Sequence, residues 1–232
     1  EVMKEKPNYT RYGGVSISYA DGDASYSRGS GDNHSRAMNF YVTEMGNKGH
    51  YLDVVLRFHH MDTNFKMFDE NGKKIRGDMH NVGISLSSEY GRKKMIDDKG
   101  WYIEPQGQLT LGYLGGDNYT TSNGIAVRQG GIRSALGRIG FNLGKDIDEK
   151  TNIYLKANLL HEFGGGYHAA MTDSSGSRIK IDRSFKDTWF EYGIGAAIQT
   201  GTNNHVYLDF ERSAGGDFKK DWSWNVGARW TF

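Results

Sequence analysis

Apolar and polar residues alternate along most of this chain, and the alternation recurs in segments separated by turn residues. Val15, Ile17 and Tyr19 interleave with Ser16 and Ser18, and Asp21-Gly-Asp follows. Met38, Phe40 and Val42 precede Gly46-Asn-Lys-Gly49, and Leu52, Val54, Leu56 and Phe58 make one face of the next segment. Asn71-Gly72 marks a tight hairpin between Asp69 and Lys74. Val82, Ile84 and Leu86 come next, and Trp101 to Tyr113 alternates without a break. Further segments follow at 135–143, 153–159, 190–198 and 206–210, and the last runs from Trp222 to Phe232. Successive side chains of a strand point to opposite faces, so each segment predicts a strand with one greasy and one polar side. About ten strands and no helix are expected.

The connections alternate in length. Stretches 144–152 and 200–204 are short, whereas 115–131 and 164–187 are long and polar. Short turns at one end and long loops at the other fit an antiparallel up-and-down transmembrane β-barrel. A soluble barrel shows the same period with the faces reversed. Three features favour the membrane form: aromatics at strand ends, the closing run of Trp222, Trp224, Val226, Ala228, Trp230 and Phe232, and glycines on the polar face. Glycine weakens an outward soluble face but makes room inside a narrow lumen. The polar phase also carries charges of both signs, namely Asp53, Arg57, Glu104, Arg138, Lys156, Glu191, Asp209, Glu211 and Arg229. These predict a lumenal charge network.

Composition narrows the picture. The 232 residues include 32 Gly, 2 Pro and no Cys, which suits one strand-rich domain without disulfides or thiolate metal sites. A formal charge of +1 gives no field to recruit nucleic acid. Mean hydropathy is −0.68 and no apolar run exceeds three residues, which excludes a spanning helix but not a barrel strand. The segment 1–9 has no hydrophobic signal core and is expected to be disordered or a strand remnant, the start of an N-terminally truncated piece.

Several strings resemble the translocator (β) domain of monomeric autotransporters of type V secretion. They are Gly49-His-Tyr-Leu-Asp-Val-Val, Gly100-Trp-Tyr-Ile-Glu-Pro-Gln-Gly-Gln-Leu, Asp117-Asn-Tyr-Thr-Thr-Ser-Asn-Gly and Ser134-Ala-Leu-Gly-Arg-Ile-Gly. Leu160-His-Glu-Phe, Trp189-Phe-Glu-Tyr-Gly-Ile-Gly, Glu211-Arg-Ser-Ala-Gly-Gly and Asn225-Val-Gly-Ala-Arg-Trp-Thr-Phe follow in family order. The resemblance runs from about Gly13 to the end and implies a twelve-stranded barrel in the outer membrane of a Gram-negative bacterium. It further implies export of an upstream passenger, a linker helix in the pore, and a monomer in outer-membrane lipid. The terminal face from Trp222 to Phe232 would then be the signal that the barrel-assembly machinery reads. The family's first two strands, linker and passenger have no counterpart before Tyr9. Ten strands alone would leave two unpaired edges in lipid, which is costly.

Competing chemistry finds little support in the residues. His59, His60 and Asp62 hint at a metal, but adjacent strand residues face opposite ways, so no metal site is expected. His161 and Glu162, with Glu191 and Glu211, resemble acid–base carboxylate sets, yet pairing with Arg138, Lys156 or Arg229 is the simpler expectation. Gly29-Ser-Gly31 and Gly164-Gly-Gly166 lack the Lys-Ser/Thr of a phosphate loop and read as loops. No catalytic residue and no cofactor are predicted. A passenger-free porin and an outer-membrane hydrolase stand as the alternative functions.

Overall fold

The computed structural model describes residues 2–201 and 204–230. The first seven strands are β1 (Val2–Lys6), β2 (Tyr9–Tyr26), β3 (Gly29–Gly46), β4 (His50–Phe68), β5 (Lys74–Arg92), the short β6 (Lys94–Met95) and β7 (Trp101–Leu114). Then come β8 (Asn118–Thr120), β9 (Ala126–Gln129), β10 (Ile132–Asp146), β11 (Thr151–Glu162), β12 (Gly166–Thr172), β13 (Arg178–Ser184), β14 (Asp187–Gln199), β15 (Asn204–Ala214) and β16 (Ser223–Trp230). All the long strands join one antiparallel sheet in chain order, β1-β2-β3-β4-β5-β7-β10-β11-β14-β15-β16, with β6 pairing beside β5 on β7. Sequential neighbours pairing without crossovers is the up-and-down order expected from the alternation. Among the described residues no ladder joins β16 to β1.

Each expected segment up to position 210 lies within a strand of this sheet, the last coincides with β16 over the described residues 223–230, and several strands outrun the pattern. β2 continues through Asp21-Gly-Asp23 and reverses after Tyr26. β4 and β5 have 19 residues each, about 63 Å of extended chain, while about 9–11 residues suffice to cross a bilayer. The excess lies at the long-loop end. There the outer face no longer meets hydrocarbon, so the alternation fades while backbone pairing continues. The predicted hairpin is present: Gly72 has φ 76° and donates to the carbonyl of Asp69 at 3.0 Å.

Two loops are not irregular as predicted. Segments 115–131 and 164–187 pair with each other in a second sheet of order β13-β12-β9-β8, burying Val127, Ala169 and Ala170. Each strand there has only three to seven residues, too short for alternation to stand out in the sequence. The β12–β13 turn is fastened by Asp173. Its carboxylate accepts the Ser175 hydroxyl and the backbone N–H groups of Ser175 and Ser177, which hold it below the usual carboxylate range.

The two faces of the main sheet reverse the arrangement of a soluble protein. The apolar phase lies outside: Ile17 is 81% exposed, Val82 64% and Ile139 63%. On β7, Ile103, Leu109 and Leu111 are exposed, whereas Glu104, Gln106, Gln108 and Thr110 are half-buried on the concave side. No large side chain among the described residues is fully buried. The fold therefore presents its apolar area to the surroundings, as a sheet dissolved in lipid must.

Inside, tyrosine and glycine meet in directly opposed pairs. Tyr41 faces Gly14, Tyr51 faces Gly91, Tyr102 faces Gly144, Tyr154 faces Gly195 and Tyr207 faces Gly227. Each ring lies flat over its glycine, so that a Cβ at Gly91 would sit 2.5 Å from the Tyr51 ring and one at Gly14 2.6 Å from the Tyr41 hydroxyl. The repeated glycines of the polar phase are thus the seats of lumenal aromatic rings.

Two outcomes are expected in reversible folding from detergent or lipid. Leu109→Arg should cost about 2–4 kcal/mol near the bilayer midplane, and Gln108→Arg far less; equal losses would reverse the face assignment. Gly91→Ala should cost about 1–3 kcal/mol by overpacking, and Tyr51→Ala should abolish that penalty in a double-mutant cycle.

Candidate functional site: a polar lumen and an aromatic last strand

The concave face of β5, β7, β10, β11, β14 and β15 gathers the polar phase of six strands into one band. Arg138, central on β10, reaches four neighbours. Its Nη2 donates to Glu89 at 2.7 Å, Nε to Gln108 at 2.8 Å, and Nη1 to Asn158 at 3.1 Å and Gln106 at 3.4 Å. The planar guanidinium suits this role because its donors fan out toward several strands at once. On β11, four residues from the Leu160 that stands opposite Arg138, Lys156 pairs with Asp209 at 2.9 Å and also with Glu211. Lys220 enters from the β15–β16 loop and pairs with Glu191 at 3.1 Å and Glu211 at 3.2 Å. Its backbone is fixed by Ser213, whose hydroxyl accepts the Lys220 N–H at 2.6 Å.

Tyrosines tie the band together. Tyr51 donates to Glu89 and Tyr154 to Asp209, each at 2.7 Å. Glu104 accepts from Gln106 at 2.7 Å and from Asn142 at 3.2 Å. The charged side chains are 13–24% exposed, so they are partly desolvated and mutually matched rather than isolated.

The residues expected from sequence distribute unevenly over this network. Arg138, Lys156, Glu191, Asp209 and Glu211 meet within it, and Glu104 borders it through amide groups. Asp53 instead accepts from Thr43, and Arg57 has no ion pair among the described residues. The side chain of Arg229 lies outside the described residues. Glu89 and Lys220 were not anticipated. Glu89 shares the polar phase of Ser85 and Ser87, which could have flagged it; Lys220 sits in a loop, and no periodicity reports where a loop lysine turns.

The acid–base candidates separate. His161 lies on the outward phase, 4.3 Å from the Phe163 ring and bonded to Thr188, while Glu162 faces inward. Glu162 accepts the Ser134 hydroxyl and the backbone N–H groups of Ala135 and Gly164 at 2.5, 2.8 and 2.7 Å, which makes it a clamp at a strand end. His59 and His60 also separate, with His59 over Gly83 inside and His60 outside.

On the last strand Trp224, 69% exposed, and Val226, 72% exposed, face outward beside Trp222 and Ala228. Phe210 packs on Trp222 at 4.7 Å and on Trp224 at 5.1 Å, and Arg212 stands 5.1 Å above the Trp222 ring. Phe232 and the side chain of Trp230 lie outside the described residues.

Breaking the network should be felt in stability. Lys156→Met leaves Asp209 without its cation and Glu211 with Lys220 alone, and should cost about 1–3 kcal/mol. Glu104→Gln should cost under about 1 kcal/mol because only neutral amides meet it. Denaturant titration of the protein in detergent checks both, and similar values for the two would mean that the lumen is effectively bulk water.

Comparison with known proteins places this architecture. The family model described as the autotransporter β-domain matches residues 6–211. Pertactin autotransporter of Bordetella parapertussis is 31% identical over 220 residues, covering 92% of this chain and 23% of its own length. The probable autotransporter YcgV of Escherichia coli is 29% identical, covering 95% of this chain and 23% of its own. The chain thus spans about a quarter of the curated relatives it matches. Among solved structures, the β-domain of the Bordetella autotransporter BrkA superposes with a TM-score of 0.76 at 25% identity, covering 96% of this chain and 84% of that one. The translocator domain of NalP from Neisseria meningitidis superposes at 0.72 with 13% identity, covering 99% and 76%, a likeness of fold. With its apolar face outward, its polar lumen and these matches, the chain belongs to the autotransporter β-domain family, the outer-membrane β-barrel translocators of Gram-negative bacteria.

Proposed function

We propose that this chain is one translocator domain that anchors a passenger encoded upstream and carries it to the cell surface. The observation that carries the reading is the inside-out sheet: exposed Ile, Leu and Phe on the convex side and a charge-matched polar band on the concave side. Such a lumen offers a path lined by paired polar groups along which an extended polypeptide can pass. The relatives leave about three quarters of their length for other segments, which is where a passenger and the strands completing the barrel belong.

The domain works as a monomer in outer-membrane lipid, and any enzymatic activity of the whole protein belongs to its passenger. The barrel-assembly machinery is its insertion partner, reading the face of Trp222, Trp224, Val226, Ala228, Trp230 and Phe232. Outward Trp224 and Val226, unoccupied by intramolecular packing on most of their surface, support that role.

Surface proteolysis of intact cells tests export: the upstream segment should be cleaved from outside, and its absence from the surface would favour a passenger-free channel. Deleting Phe232 should lower the amount inserted in cells while barely changing the stability of protein in detergent, since a terminal residue contributes little packing. Undiminished insertion would reduce Phe232 to an interface aromatic.

A further inference from the structure

Outside the lumen, the tall strands β2 to β5 carry a row of side chains on the outward face, just beyond the apolar band at the long-loop end. Asp21 stands opposite His34, His34 opposite Asp62, and Asp62 opposite His80. One step closer to the lipid, His60 lies opposite Arg36 and Val82, directly above Phe58 on the same face of β4. We propose that His60, Asp62 and His80 are the ligands of a transition-metal site of the zinc class, set at the rim where the barrel leaves the membrane.

The geometry argues for a ligand set rather than a chance crowd. His60 Nε2 lies 2.9 Å and His80 Nδ1 2.7 Å from the same oxygen, Oδ1 of Asp62. All three ligand atoms lie within 4.8 Å of one another. Zinc bonds of about 2.0–2.2 Å at tetrahedral angles place ligand atoms about 3.3–3.5 Å apart, so small side-chain rotations suffice to admit the ion. The two rings run nearly parallel, with centroids 6.5 Å apart and planes at 16°, and each turns one nitrogen toward Asp62. The frame is stiff. His60 and Asp62 are two apart on one strand face, His80 is the direct cross-strand partner, and its backbone N–H is held by Asp117 at 2.7 Å.

The donor set selects the ion. Two imidazoles and one carboxylate suit Zn²⁺, Ni²⁺ or Cu²⁺, whereas Ca²⁺ and Mg²⁺ want oxygens. His60 and His80 are 47% and 62% exposed, which leaves a fourth coordination position for water on the outward side. His34, on the neighbouring strand, is hydrogen-bonded to Asp21 and is not part of the set. His59 and His60 face opposite ways, as adjacent strand residues must, and the second imidazole comes from β5 instead, through a register that the sequence does not display.

The test uses protein purified from outer membranes in detergent and stripped with a chelator. Calorimetric titration with Zn²⁺ should show one equivalent bound, and Co²⁺ should give the intense visible spectrum of a tetrahedral site. His80→Ala and Asp62→Asn should each weaken Zn²⁺ by about 100-fold or more, while His34→Ala and His161→Ala should leave it unchanged. Heat-modifiable gel mobility verifies that each variant is folded. Should a variant not fold, wild-type protein decides: Zn²⁺ must protect His60 and His80, but not His161, from carbethoxylation. Absence of stoichiometric binding, binding indifferent to His80 and Asp62, or no protection overturns the proposal.

Discussion

Every feature of this fold depends on one requirement: backbone N–H and C=O groups placed in hydrocarbon must find partners within the protein, because the solvent there offers none. The sheet meets it by pairing each long strand with its chain neighbour, in ladders such as the unbroken Ile132↔Leu114 to Lys145↔Trp101 register of β10 on β7. Once the ladders are fixed, side chains have only two directions. Lipid claims one, and the lumen receives everything that cannot enter lipid. Charged residues are therefore drawn together without any local motif that would announce them.

That compression explains the lumen. Arg138, Lys156 and Lys220 pair with four carboxylates from three strands, since a lone charge on the concave face would be partly desolvated without compensation. The Tyr–Gly pairs answer the same crowding in steric form. A tyrosine ring lying on the opposite strand needs a residue without a side chain beneath it, and its hydroxyl can then reach a carboxylate, as Tyr51 reaches Glu89. Glycine here serves close approach rather than unusual backbone angles.

Beyond the apolar band the rules relax. β2 to β5 continue as tall hairpins whose outer face turns polar, and the two longest connections zip into their own small sheet over the same end. A hydrogen bond from the Ser122 N–H to the Arg76 carbonyl at 2.9 Å joins the tall hairpin to that sheet. The outward row of His and Asp residues belongs to this zone, where polar groups can face water while still being held by paired backbone.

What the sequence determined by itself was the two-fold periodicity, and through it the strands, their order and the sidedness of each residue. Ile103, Leu109 and Leu111 opposite Glu104 and Gln108 is information local to one strand, because the side-chain period of an extended chain is fixed by its backbone. The tertiary structure decided what depends on register between strands. It chose Glu89 and Lys220 as partners in the lumen, put Glu162 to clamping a strand end, paired the loops 115–131 and 164–187, and set His80 rather than His59 beside His60. Such matches join residues from 9 to 55 positions apart in the chain, and a single sequence carries no local pattern that reports them.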